Sequence, residues 1–161
     1  MLAMAREFLE RKGLEEARLE AELLVSHSLG LNRLGLFMAL DRPLSSEEID
    51  GARDLLVRRG KREPVAYIIG QREFYGRAFR VGSGVLIPRP ETELLVDIAR
   101  ERVAAMELDV PPRLADLGTG SGCLAVTLAL EIPEAQVIAA DISPEAALQA
   151  RHNAEALGAK V

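Results

Sequence analysis

Three glycines and two aspartates are the residues of this sequence whose types and spacing could do chemistry. The stretch ADLGTGSGCLAV, residues 115–126, sets Gly118, Gly120 and Gly122 at alternate positions, with Thr119 and Ser121 between them. Asp116 stands two residues ahead of the first glycine, and Asp141 nineteen residues after the last. Glycines between a strand and a helix let a ligand approach the unpaired N–H groups of the helix start, because no side chain stands in the way. A dinucleotide site spaces its glycines G-x-G-x-x-G, the third placed for close helix–strand packing. Here the spacing is tighter, and a carboxylate at position 116 would repel a diphosphate while suiting a cation. S-Adenosylmethionine offers an ammonium and a sulfonium and no phosphate. Asp141, at the end of the next strand, can accept hydrogen bonds from both ribose hydroxyls of either cofactor. Asp116 and the G-x-G-x-G spacing together favour S-adenosylmethionine over a nicotinamide or flavin dinucleotide, with a purely structural turn as a third reading.

A parallel sheet has to stand behind those residues. LADLG reads as a buried strand, and SGCLAVTLALEIP as a helix stopped by Pro133. AQVIAAD reads as a second strand ending in Asp141. ISPEAALQARHNAEALG is a second helix, with Ser143 as N-cap, Pro144 at its first position and Gly158 past its end. The order βαβα predicts the start of a doubly wound, Rossmann-like α/β domain over residues 89–161. Upstream, Ile68–Ile69, Phe74–Tyr75 and Phe79–Val81 suggest short strands between turns at Gly70, Gly76 and Gly82 to Gly84. Residues 67–88 are therefore expected to be a β-hairpin linker. IPRPETE is a stiff loop, and Thr92 is expected to cap the helix ELLVDIARERVAAMEL. Residues 1–66 read as a helical domain. Leu2, Ala5, Phe8 and Leu9 form one stripe; Leu14, Ala17, Ala21, Leu24, Val25 and Ser28 form another; NRLGLFMAL is a short third segment. Ser45 followed by Glu48 predicts a capping box ahead of a fourth helix, with Ile49, Ala52, Leu55 and Leu56 on its apolar face.

Composition bounds the partners. The 161 residues are 48% hydrophobic and carry a net charge of −5, with a pI of about 5.2. That gives no general pull toward nucleic acid or anionic membrane, so direct nucleic-acid binding is not expected. No uncharged apolar run approaches the ~18–20 residues of a membrane span. The single cysteine, Cys123, excludes an internal disulfide, and a cytoplasmic place is expected. His27 and His152 lie without partners at ligand spacing, so no metal site is expected. Cys123 reads as a small core residue, and RRGKR, Arg58 to Arg62, as a solvated helix end. Phe74, Tyr75 and Phe79 read as hairpin core, with contact to the cofactor as the alternative. Glu91 and Glu93 read as charges favourable to a helix N-terminus.

Two stretches together carry a family resemblance. REFYGRAFRVGSGVLIPRPETELLVD and LADLGTGSGCLAVTLALEIPEAQVIAADISPEAALQARHNAEALG resemble the release-factor glutamine methyltransferases, the PrmC/HemK family. IPRPETE is much more specific than the glycine loop. ARLEAELLVSHSLG and REPVAYIIGQREFYG resemble that family's N-terminal domain, so the likeness runs over essentially the whole sequence. It implies methyl transfer from S-adenosylmethionine to the glutamine amide of the Gly-Gly-Gln motif in bacterial class-1 peptide chain release factors. It implies that Gly118, Thr119, Gly120, Ser121 and Gly122 line the methionine portion of the cofactor and that Asp141 holds the ribose. Arg89, Pro90, Glu91 and Thr92 would form an active-site wall, and the helical domain would help dock the release factor. The family's Asn-Pro-Pro-Tyr motif, which grips the acceptor amide, does not occur in these residues. No catalytic residue is therefore identified within 1–161, and these residues are expected to be inactive alone. An unpaired sheet edge and uncovered helix faces are expected with them. The competing readings are an N-methyltransferase acting on a base nitrogen and a non-catalytic module docking a translation factor.

Overall fold

The N-terminal apolar stripes fold as α1 (Leu2–Arg11), α2 (Ala17–Ser28), α3 (Arg33–Met38) and α4 (Ser46–Gly60). The structure is a computed structural model and describes residues 1–106 and 109–161. Its contacts divide the chain into two units, Met1–Ile69 and Gly70–Val161. In the first unit Ala5, Leu9, Leu14, Ala17, Ala21, Leu24, Val25, Leu36 and Leu56 form the core. The capping box forms as expected: Ser45 Oγ accepts from Glu48 N–H at 3.2 Å, and Glu48 Oε2 accepts from Ser45 N–H at 2.9 Å.

Ile68–Ile69, expected as strand, belong instead to a short helix α5 (Val65–Ile69). Pro64 O accepts from Tyr67 N–H and Ile68 N–H, and Ile68 joins the first core. Burial against neighbouring helices overrides the β preference of two adjacent isoleucines.

The second unit opens with a hairpin, β1 (Gln71–Phe74) and β2 (Arg77–Arg80), in register Phe74↔Arg77. Its turn is Tyr75–Gly76, with φ of +50° and +71°, the geometry that matches strand twist in a two-residue loop. Tyr75 tolerates that φ while held: its N–H donates to Glu93 Oε1 at 2.9 Å and its hydroxyl to Asp97 at 2.8 Å. Phe74 and Phe79 are fully buried, edge to face at 6.1 Å, in the core of this second unit with Val96, Val126 and Val137.

After the hairpin come a single 3₁₀ turn (Pro90–Thr92) and α6 (Glu93–Ala104). The last two residues of the helix expected here, Glu107 and Leu108, lie outside the described residues. Thr92 does not cap α6 through its side chain. The preceding prolines wind the chain into the 3₁₀ turn, so Thr92 already has helical φ/ψ rather than the extended conformation of a side-chain cap.

β3 (Arg113–Leu117), α7 (Cys123–Glu131), β4 (Gln136–Ala140) and α8 (Pro144–Leu157) complete the βαβα order. β3 and β4 are parallel, in register from Arg113↔Gln136 to Leu117↔Ala140. β3 is not the buried strand expected: Arg113, Ala115 and Leu117 are exposed, Leu117 at 80%. Among the described residues only β4 pairs with it, so one edge and much of one face are open. Ile138 on β4, at 64%, is exposed for the same reason. Ser143 Oγ caps α8 from Ala146 N–H, and Gly158, at φ +70°, ends it.

Candidate functional site

The glycine loop joins β3 to α7 and crosses the C-terminal end of β4. Gly118 N–H and Thr119 N–H both donate to Ala140 O, at 2.8 and 3.0 Å. Gly122 N–H donates to Thr119 O at 2.8 Å, which closes the loop into a tight turn. Gly118, Gly120 and Gly122 have φ of +82°, +56° and +79°, which other residues adopt only with strain. The three do not serve one purpose. A Cβ on Gly118 or Gly120 would meet nothing within 4 Å, so both border open space. A Cβ on Gly122 would lie 2.9 Å from Ala150 Cα. Gly122 therefore does the close-packing work that a dinucleotide loop gives to a glycine one position later.

The two aspartates meet at this loop. Asp116 Oδ2 accepts from Thr119 Oγ1 at 2.7 Å. Asp141 Oδ2 accepts from Gly120 N–H at 2.8 Å, and its Oδ1 from Ser143 N–H at 2.9 Å. Those N–H donors, Ser143 first and Gly120 next, hold the Asp141 carboxyl below the usual carboxylate range. Each carboxylate oxygen keeps a further lone pair for a hydroxyl or a cation. The structure thus brings Asp116, Thr119, Gly120 and Asp141 into one hydrogen-bonded knot, with bare backbone beside it. This fits the group the sequence implies: open space over two glycines, acceptors for ribose hydroxyls, and a carboxylate for an ammonium.

Arg89, Pro90 and Glu91 are exposed and Thr92 is half-buried. Thr92 N–H donates to Arg89 O at 3.1 Å. Among the described residues no hydrogen bond joins this turn to the glycine loop. Glu93, read as a charge at a helix start, also receives the hairpin-turn N–H of Tyr75.

Other candidate residues are absorbed structurally. Burial pushes the Cys123 thiol up, away from a reactive thiolate. Arg58 pairs with Glu63, Arg59 with Glu20, and Arg62 donates to Lys12 O and Gly13 O. Much of the basic run is thus spent inside its own unit. Among the described residues no group of three His, Cys, Asp or Glu is arranged to hold a metal. No helix among them is long and apolar enough to cross a membrane.

Asn153 escaped the sequence reading. It is 1% exposed, on α8, and donates to Ser121 O inside the glycine loop at 2.8 Å. A signal existed: Asn153 falls on the same helical stripe as Ala146 and Ala150, where a poor helix former with two donors needs a reason to be.

Residues 1–70 match the family model of the PrmC N-terminal domain, and residues 92–161 that of the methyltransferase small domain. A release factor glutamine methyltransferase of Chlorobaculum tepidum is 50% identical over 153 residues, covering 94% of this chain and 52% of that protein. Another, of Geobacter sulfurreducens, is 47% identical over 163 residues, covering 100% of this chain and 55% of that protein. A bifunctional methyltransferase of Rickettsia felis is 37% identical over 178 residues, covering 96% and 34%. The chain spans about half the length of the curated release factor glutamine methyltransferases it matches.

Proposed function

We propose, on the premise that this chain belongs to the release factor glutamine methyltransferase family, that its second unit holds S-adenosylmethionine for methylation of a glutamine side-chain amide. The acceptor is the glutamine of the Gly-Gly-Gln motif in bacterial class-1 peptide chain release factors, and the helical unit helps dock that protein. When bound, the cofactor supplies an electrophilic methyl group on its sulfonium. Asp141 accepts the ribose hydroxyls, and the backbone of Gly118–Gly122 receives the methionine portion. Asp116, kept in place by Thr119, faces its ammonium. Arg89, Pro90, Glu91 and Thr92 contribute wall.

The observation that carries this reading is the bond from Gly120 N–H to Asp141 Oδ2. It fixes the carboxylate beside the two glycines that border open space, with no arginine or lysine neutralising it among the described residues. A cytoplasmic place follows from the same reading and suits the free thiol of Cys123.

An amide nitrogen is a poor nucleophile, because its lone pair is delocalised into the carbonyl. Acceleration must come from acceptors that hold the NH₂ and aim it. Residues 1–161 contain no Asn-Pro-Pro-Tyr clamp, so by themselves they are expected to transfer no labelled methyl to a release factor. Detecting such transfer would overturn that statement. The cofactor reading is tested by calorimetry with S-adenosylhomocysteine and, in parallel, NADH. Binding of the first and not the second is expected. Asp141→Ala should weaken it about tenfold or more, the cost of hydrogen bonds to a charged acceptor. Preference for NADH would sink the reading.

A further inference from the structure

We propose that Asn153 is a positioning residue that latches the glycine loop to the β-hairpin and so holds the loop in its cofactor-receiving shape; the link to the cofactor rests on the function proposed above. Asn153 Oδ1 accepts from Arg80 N–H at 2.9 Å, and its Nδ2 donates to Arg80 O at 3.0 Å and to Ser121 O at 2.8 Å. Both Nδ2 hydrogens are used, and a flipped amide would face two carbonyls with its oxygen, so one orientation satisfies the set. Two bonds to one residue's N–H and C=O are what a neighbouring strand would give. The side chain therefore stands in for a strand at the end of β2. Its third bond reaches Ser121, the residue after Gly120, whose N–H donates to Asp141.

A second close approach fixes the same geometry. A Cβ on Gly84 would collide with the carboxylate of Glu145, at the start of α8. Glu145 and Asn153 lie eight residues apart, about 12 Å along a helix. Arg80 and Gly84 lie four apart, and the chain between them leaves β2 and enters a turn closed by Val85 N–H donating to Gly82 O at 3.1 Å. Arg80 meets α8 at Asn153 and Gly84 meets it at Glu145, so the chain passes from the C-terminal half of α8 to its start before it reaches the Pro88–Pro90 loop. Through Asn153 and Gly122, α8 sets both where the glycine loop sits and where the hairpin leaves.

The test uses residues 1–161. In ligand-free protein, Asn153→Ala should speed amide exchange about tenfold at Arg80 and across Thr119–Gly122, leaving the interior of α7 and the helical unit unchanged. The dissociation constant for S-adenosylhomocysteine should rise about tenfold, the equivalent of a charged or doubled hydrogen bond. Leu157→Ala, which trims the same helix against the same core without touching the loop, serves as the control for lost stability. Should Asn153→Ala not fold, Asn153→Asp keeps the acceptor for Arg80 N–H and removes both donors, so the loop effect is then expected with less change at Arg80. A lowered melting temperature with unchanged loop exchange would overturn the latch, as would a Leu157→Ala variant with the same loop and affinity changes. If the unmodified chain binds no S-adenosylhomocysteine, the cofactor reading fails, and the exchange measurements still decide the latch.

Discussion

The carboxylates packed between helices of the first unit and those at the glycine loop of the second are satisfied in opposite ways. In the helical unit acids meet arginines: Glu22, 3% exposed, takes both Arg18 and Arg33, and Glu20 takes Arg59. At the glycine loop the acids meet neutral donors. Asp116 takes a hydroxyl, and Asp141 takes two backbone N–H groups. An arginine cancels the charge it binds and fixes two elements to each other. A backbone dipole keeps a carboxylate ionised, oriented and still able to accept. The first arrangement builds a scaffold, and the second leaves chemistry available.

The sharpest way to break the contrast is Gly122→Val. Its φ of +79° and the 2.9 Å approach to Ala150 should cost the second unit about 3 kcal/mol through strain and overpacking. Amide exchange should rise there while the helical unit keeps its protection. A protected second unit would show that the loop tolerates a side chain, and that the close packing ascribed to Gly122 is wrong. Next comes Arg59→Ala. It leaves Glu20 mostly enclosed without its bidentate partner, both side chains being under one-fifth exposed. About 2 kcal/mol, discounted from a fully buried pair for residual solvent, should be lost from the helical unit in urea unfolding. Ser45→Ala removes one half of the capping box and should cost about 1 kcal/mol in the same measurement.

The gentlest probe is pH. Arg33, hydrogen-bonded to Glu22, lowers that carboxyl's pKa below its unfolded value. Its contribution to stability is therefore present above the ordinary carboxylate range and lost as pH falls through the lowered pKa. Glu22→Gln should flatten the acid side of the helical unit's stability profile. An unchanged acid side would mean that the pair lends no pH-dependent stability.

Features whose cause is local were legible in the residues. The capping box needs only Ser45 and Glu48 three positions apart, and both bonds form. The βαβα order followed from where glycine and proline interrupt apolar runs. Errors came where distant packing decides. Ile68–Ile69 prefer strand locally, yet the first core winds them into α5. LADLG has the composition of a buried strand, yet burial depends on what pairs with and covers it, and among the described residues only β4 pairs with it. Glu22 was not singled out in the residues at all, because nothing in the local pattern announces its bond to Arg33 on α3.

The site divides along the same line. Residue type and spacing were enough to propose a ligand class, since glycines at alternate positions and a carboxylate ahead of them act through local backbone geometry and charge. They also placed Asp141 at a strand end, because strand length is set by the apolar run before it. The division of labour among the glycines was a tertiary matter. Gly118 and Gly120 border space, whereas Gly122 admits α8, and that difference exists only once Ala150 is brought against the loop. The same holds for Asn153. Its three bonds reach Arg80 and Ser121, which are 73 and 32 residues away, and hydrogen bonds over such separations follow from packing that no local pattern encodes.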